Sequence, residues 1–184
     1  MCLKRIINCL KNTKSKNAKL AIIILGDAET GKSTLLKELV NKHSTNNDGN
    51  NLQRASKGTR RLFFNNDKSL TQDAYIIFSS LSEDNEFGND DKLILKDFID
   101  KDSKKPFNDI KVLIYPDHPD TNIYKRNKEF LKSLNFKITE FKISHINELE
   151  HWRYNKNGLV DKDVKERAED IIKCVMKYSR DKLK

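Results

Sequence analysis

Residues 26–34 have the types and spacing that bind phosphate groups. Gly26 and Gly31 stand at the two ends of the stretch Gly-Asp-Ala-Glu-Thr-Gly, and Lys32 and Ser33 follow directly. Glycines let such a loop curl so that successive backbone N–H groups point at phosphate oxygens. In this pattern the lysine reaches the β- and γ-phosphates, and the serine hydroxyl binds magnesium. The sequence therefore predicts a Walker A loop for a magnesium nucleotide, made of Gly26, Asp27, Ala28, Glu29, Thr30, Gly31, Lys32, Ser33 and Thr34.

The residues on either side of this loop predict the two elements that must position it. Residues 20–25 form a continuous apolar run rich in isoleucine, which is typical of a buried central strand. After the loop, leucines and a valine between residues 35 and 40 recur at helical spacing. Such a helix would present its positive N-terminal end to the same phosphates. Strand, glycine loop and helix together make nucleotide binding the favoured interpretation.

The rest of the chain predicts a single α/β domain. Strands are predicted at residues 60–64, 74–78, 110–115 and 136–143, and helices at residues 91–100, 124–134 and 164–178. Pro116 is expected to end the third of these strands. Their alternation indicates a mostly parallel sheet with helices on both faces, whose ligands bind beyond the carboxyl ends of the strands. With 184 residues, we expect one domain over residues 20–184, preceded by a separate segment and linker over residues 1–19.

Residues 1–12 predict a small basic amphipathic helix. The favoured interpretation is that it packs on the domain itself, and the alternative is peripheral contact with an anionic membrane, with Cys2 and Cys9 open to acylation. The longest apolar run is too short to span a bilayer, and the start lacks the apolar core of a cleavable signal. Three unpaired-looking cysteines favour a reducing compartment, so a cytoplasmic location is predicted.

The net charge of +9 raises the question of a nucleic-acid partner. The lysines are scattered along the chain together with many asparagines, and no aromatic-basic ladder accompanies them. A compositional bias explains the charge better than a nucleic-acid interface does.

Residues 18–40 resemble the opening of Ras-like GTPases, and most of all that of heterotrimeric G-protein alpha subunits, which carry a glutamate at the position of Glu29. A weaker likeness covers residues 74–84, and the strand ending at Tyr115 falls where the guanine-reading motif of that family follows. The resemblance implies a GTPase-like fold, GTP or GDP with Mg²⁺ as ligands, and a protein effector as partner. It makes Asp117 and Asp120 the remnant of the guanine-reading motif, and Thr59 the counterpart of the switch threonine on magnesium.

The departures from that family limit the expected activity. The Asp-x-x-Gly segment has no counterpart between Arg54 and Ala74, and the chain there looks too short for the family's usual pair of strands. Ala28 replaces a glycine near the γ-phosphate. Since no residue stands out to position the attacking water, nucleotide binding is expected, with slow hydrolysis at most.

Two other functions stay open. In an ATP-dependent small-molecule or nucleotide kinase, the same loop would hold ATP or ADP, and Asp117 or Asp120 would act as base or metal ligand. Arginines from later helices would clamp the second substrate, with Arg126, Arg153 and Arg167 as candidates. The other alternative is a non-catalytic nucleotide-binding interaction protein. The stretch Asp117-His-Pro-Asp120 also has a purely structural interpretation, as a turn that caps the following helix.

Overall fold

A computed structural model describes residues 19–28, 30–43, 57–64, 67–78, 94–102, 106–143 and 162–182. Within these ranges the chain forms five strands and four α-helices. The strands are β1 Lys19–Leu25, β2 Lys57–Phe64, β3 Asp67–Ile77, β4 Val112–Asp117 and β5 Phe136–Lys142. The helices are α1 Lys32–His43, α2 Ile94–Asp102, α3 Asn122–Ser133 and α4 Lys162–Lys182, and a 3₁₀ turn, Phe107–Asp109, precedes β4. The predictions for residues 1–12, Glu29 and Arg153 lie outside the described residues.

The five strands form one sheet in the order β2-β3-β4-β1-β5. β1 pairs in parallel with both β4 and β5, and β3 pairs in parallel with β4. Only β2 runs antiparallel, against β3. The prediction of an α/β fold with a mostly parallel sheet is therefore confirmed.

Helices cover both faces of this sheet because β1 is apolar at every position from Leu20 to Leu25. Alternate residues of a strand point to opposite faces, so an unbroken apolar run needs a cover on each side. On one face, Leu20, Ile22 and Ile24 pack with buried residues of α1 and α4, among them Leu35, Leu39, Val164 and Ile171. On the other face, Ala21, Ile23 and Leu25 pack with buried residues of α2 and α3, among them Leu95, Ile99, Tyr124 and Leu131.

The strand β4 does not end where the sequence predicts. It continues through Pro116 to Asp117, in register with Ile24 and Leu25 of β1. The carbonyls of Lys111 and Asp117 accept hydrogen bonds from residues at the two ends of β1. Because the backbone groups of successive strand residues point to opposite neighbouring strands, the backbone nitrogen of Pro116 faces β3. The pairing of β3 with β4 ends at Ile114, and a missing N–H group at position 116 therefore costs no ladder bond.

The region between Arg54 and Ala74 also differs from expectation. It holds a complete antiparallel pair, β2 and β3, in which Thr59 lies opposite Tyr75 and Arg61 opposite Asp73. The prediction that the chain is too short for two strands is wrong, because the connection uses only residues 65 and 66 between them. Residues 67–73 are polar and only weakly periodic, so the first half of β3 was not predicted from the sequence. None of the described helices is both long enough and apolar enough to cross a membrane.

Candidate functional site

The predicted phosphate loop lies at the carboxyl end of β1, directly before α1. Gly26 is buried, and a Cβ atom there would stand 2.5 Å from the Thr30 Oγ1 atom and 2.8 Å from the Ile143 carbonyl oxygen. Gly31 has a φ of 89°, in the left-handed region that glycine adopts without strain. Both ends of the loop therefore require glycine for a physical reason, one for space and one for backbone conformation.

The side chain of Lys32 lies inside the loop. It is 6% exposed, and its Nζ atom donates hydrogen bonds to the carbonyl oxygens of Gly26 and Asp27, each at 2.7 Å. Thr30 Oγ1 donates to the Asp27 carbonyl at 2.8 Å and holds the same turn. The loop's own backbone thus holds the ammonium group at the carboxyl end of β1, in the place where a phosphate would contact it.

Helix α1 begins with groups that favour an anion. The Leu35 N–H donates to the Gly31 carbonyl at 2.9 Å, which closes the first turn. The first N–H groups of any α-helix have no intrahelical acceptor, and they carry the positive end of the helix dipole. The first turn of α1 contains no acidic residue that would neutralise this end. The start of α1 beside Lys32 therefore has the polarity that favours an anion.

Ser33 connects this helix start to the sheet. Its side chain is exposed, and its Oγ atom donates to the Phe78 carbonyl, directly after β3, at 3.3 Å. The predicted metal-binding hydroxyl therefore faces the side of β1 on which β4 and β3 lie.

Asp117 lies next to the loop, because β4 is the immediate neighbour of β1. It pairs in register with Leu25, and its carbonyl oxygen accepts a hydrogen bond from the Gly26 N–H at 3.3 Å. The residue is 0% exposed, and its Oδ1 atom accepts a bond from the His118 N–H at 2.9 Å. Asp117, whose side chain is buried, thus borders the predicted phosphate site through its backbone carbonyl. The sequence could not reveal this neighbourhood, since strand order is a long-range property.

Asp120 occupies the turn between β4 and α3. It is exposed and has a φ of 68°, an uncommon conformation that aspartate tolerates better than most residues. The cap of α3 is Thr121, whose Oγ1 atom accepts a hydrogen bond from the Tyr124 N–H at 3.1 Å. The stretch is therefore a turn before a capped helix, as the structural interpretation predicts, but the capping residue is Thr121 and not an aspartate.

Thr59 is not brought to the loop. It lies in β2, which β3 and β4 separate from β1, so three strand spacings, about 14 Å, lie between the two strands. Its proposed role as a magnesium ligand stays a prediction.

Basic residues border the loop on its other side. Leu25 also pairs with Lys142 of β5, and the Arg167 Nη1 atom of α4 donates to the Lys142 carbonyl at 3.0 Å. Arg126 is exposed in the early part of α3. Of the predicted substrate-clamping arginines, Arg167 is thus fixed at the end of β5, next to the loop.

A polar cluster beneath α3 was not predicted from the sequence. The Tyr124 hydroxyl donates to the Glu140 Oε1 atom at 2.5 Å, and Lys128 Nζ donates to the same phenol at 3.1 Å. Lys128 also pairs with the Glu140 carboxylate at 2.5 Å. Burial and the bond to Glu140 raise the pKa of Tyr124. Burial raises the pKa of Glu140, but hydrogen bonds from Lys128 and Tyr124 outweigh it, so this pKa lies below its ordinary value.

Tyr115 lies on the same face of the sheet as Asp117 and Tyr124. Its side chain is fully buried. Burial, followed by the negative charge of Asp117, raises the pKa of its phenol well above the ordinary value. The phenol therefore stays protonated at neutral pH.

Two further observations concern metal-binding groups in this chain and proteins similar to it. In the part of the chain that the structure describes, no three His, Cys, Asp or Glu side chains come together as a metal site of their own. Comparisons with protein-family models, with curated proteins and with solved structures found no match to this chain.

Proposed function

We propose that this chain binds a magnesium nucleoside triphosphate at the carboxyl end of β1, with its phosphates in the loop of residues 26–34. The observation that carries the proposal is the position of Lys32, whose ammonium group is held between two loop carbonyls at the start of α1. A lysine in that place meets the β- and γ-phosphates of a nucleotide cradled by the loop's N–H groups. The proposal accounts for the two required glycines and for the absence of acidic residues in the first turn of α1.

The residues at the loop fit a magnesium ion. Mg²⁺ prefers oxygen ligands and is usually held by one or two carboxylates together with substrate phosphates. Ser33 offers a hydroxyl, and Asp117 offers a buried carboxylate on the side of the loop to which Ser33 points. When bound, magnesium would neutralise charge on the β- and γ-phosphates. Asp117 accordingly belongs to the phosphate end of the site in this proposal, and Asp120 remains the candidate for reading guanine.

Guanine nucleotides are the first expectation, because of the resemblance of residues 18–40 to the GTPase family. We propose slow hydrolysis at most, as expected from the sequence, since no water-positioning residue is identified. A nucleotide-dependent contact with a protein effector is part of the same proposal.

A second candidate function is phosphoryl transfer from ATP to a small molecule. The observation in its favour is the same buried Asp117, at the end of the strand beside the loop, where an acid can orient an acceptor hydroxyl or hold the metal. GTP binding and ATP-dependent transfer therefore predict different base preferences at one loop.

Thermal unfolding tests the proposal, measured with magnesium and, separately, GTP, GDP, ATP and ADP. A ligand present at 100 times its dissociation constant stabilises a protein by about 2.7 kcal/mol. Guanine-only stabilisation supports the GTPase-like function, and adenine-only stabilisation supports the second candidate.

Lys32→Ala is the matched variant, with Lys37→Ala on the same helix as its control. Removing the lysine should weaken nucleotide affinity by at least about 1.5 kcal/mol, the low end for a charge-assisted hydrogen bond. Unchanged affinity in Lys32→Ala, or no stabilisation by any nucleotide, would overturn the proposal.

A further inference from the structure

The strand β5 forms one edge of the sheet in the part of the chain that the structure describes. The Ile143 N–H, just after β5, donates to the Leu25 carbonyl of β1. The Asn135 carbonyl, just before β5, accepts from the Lys19 N–H of β1. The backbone groups of odd-numbered residues therefore face β1. Those of even-numbered residues point away from the sheet, because successive strand residues alternate between the two sides.

The outward-facing backbone groups of β5 belong to Phe136, Ile138, Glu140 and Lys142. The Arg167 side chain occupies the Lys142 carbonyl, at the end of the strand nearest the phosphate loop. Among the described residues, no strand pairs with the other groups of this row. Such an edge is a template for the backbone of a further strand. The geometry of β5 thus suits strand addition, in which main-chain hydrogen bonds hold an extended segment.

Half-buried apolar side chains of β5 lie on both faces of this edge. Ile138 packs against the core on the face that α2 and α3 cover. Phe141 packs against the core on the opposite face, which α1 and α4 cover. An added strand would place its own successive side chains on these two faces in turn. Apolar residues within the added segment would therefore extend both layers of the core.

The charge around β5 selects the partner. Lys137 and Lys142 lie near the two ends of the strand, and Glu140 between them is paired with Lys128 of α3. The helix α3 itself carries four basic residues and one acidic residue. A second copy of this chain would bring the same cations against one another, so the charges disfavour self-pairing. An acidic segment would meet them with complementary charge.

We infer that β5 is a docking edge for an extended acidic segment of a partner protein. The segment pairs with the outward backbone groups of Phe136, Ile138 and Glu140, and carboxylates at its two ends lie near Lys137 and Lys142. This inference goes beyond nucleotide binding and does not depend on it, because none of these groups belongs to the loop of residues 26–34.

Fluorescence anisotropy with labelled peptides tests the docking edge in the absence of nucleotide. The probe is Asp-Thr-Val-Thr-Val-Thr-Asp, matched to the 7 residues of β5, and its control has lysine in place of both aspartates. The acidic peptide should bind saturably below about 1 mM, and the basic peptide should not. N-methylation at alternate residues gives two further peptides and leaves the protein unchanged. Only one of them should lose binding, because only one set of N–H groups faces β5.

Charge reversal on the protein gives the second measurement. Lys137→Glu should weaken binding of the acidic peptide about fivefold. Arg180→Glu is the matched control and should change nothing. Arg180 is exposed on α4, and its neighbour Ser179 contacts Gln72 of β3, which β4 and β1 separate from β5.

The other outcomes would overturn the inference. Equal losses in Lys137→Glu and Arg180→Glu, or equal binding of both N-methylated peptides, would reduce the contact to general attraction between charges. A dimer that the acidic peptide dissociates would assign the edge to a second copy of the chain. If the wild-type protein binds neither peptide, the lysines of β5 only protect the edge from strand pairing.

Discussion

The loop between β1 and α1 and the turn between β4 and α3 are two versions of one connection. Each follows a buried central strand at the same edge of the sheet, and each enters a helix of 12 residues. Before α1 stands Gly31, which has no side chain to cap the helix, whereas Thr121 before α3 accepts the Tyr124 N–H. The second connection thus satisfies an N–H group of its helix start with a side chain, whereas at the first we propose that phosphate oxygens do so.

The positive φ angles follow the same division. In the β1–α1 loop the left-handed residue is a glycine, which adopts that conformation at no steric cost. In the β4–α3 turn it is Asp120, which has a Cβ atom and therefore bears some strain. Two turns with the same topology therefore differ in the residue type at the left-handed position. We expect variants of the first to change binding and variants of the second to change stability.

Asp117 is the exception that tests this division most strongly, since it lies in the second connection but borders the first. Asp117→Asn should weaken magnesium-nucleotide binding by about 1.5–3 kcal/mol, because a charged ligand group is lost. Binding of the metal-free nucleotide in EDTA should change little. The measurement is calorimetry with and without magnesium, with the exposed Asp181→Asn on α4 as the control. An equal loss in both conditions would show that Asp117 acts only through the fold.

Gly26→Ala sharpens the claim that the first connection is shaped for its ligand. The added Cβ atom would stand within 2.8 Å of a backbone oxygen, that of Ile143, which cannot turn away. Overpacking of this kind costs about 1–3 kcal/mol, and the displaced loop should also lose nucleotide affinity. Urea unfolding and nucleotide titration of the same variant measure the two effects. A variant with wild-type stability and wild-type affinity would contradict the close approach.

Whether a feature could be predicted from the sequence depends on how far apart in the chain the interacting residues lie. The strand β1 and the helix α1 are correct from sequence because a continuous apolar run and a helical stripe are local signals. The place of Asp117 beside the loop depends on β4 pairing with β1, in which Leu20 lies opposite Val112, about 90 residues later in the chain. No local pattern contains that pairing. The prediction that Pro116 ends its strand was wrong for the same reason. The effect of a proline depends on whether a neighbouring strand would pair with the N–H group that proline lacks.

Thr121→Ala tests the second connection directly. The variant removes the oxygen that accepts the Tyr124 N–H, and loss of such a cap costs about 1 kcal/mol. Unfolding free energy should fall by that amount, while nucleotide affinity stays unchanged. Urea unfolding and calorimetry together decide the matter. A large loss of affinity in this variant would mean that the two connections do not divide binding from stability.

The smallest expected effect concerns the ties that hold α3 against β5. Glu140 has a lowered pKa in the folded protein, so its interaction with Lys128 and Tyr124 stabilises the fold above the ordinary carboxyl pKa of 4.5. That stability is lost as the pH falls through the folded pKa, which lies lower still. The pair is half-buried, with side-chain exposures of 31% for Lys128 and 27% for Glu140, and we expect it to contribute less than about 1 kcal/mol.

Glu140→Gln should therefore be slightly less stable than wild type at about pH 7, and the difference should shrink toward zero at about pH 3. Urea unfolding of both proteins across this range measures it, with nucleotide affinity expected to stay constant. Because Glu140 lies on β5 and packs beneath α3, a pH-independent loss would assign its effect to packing, whereas a loss of nucleotide affinity would connect this cluster to the site. Either result would change which residues at this end of the sheet are assigned to binding and which to stability.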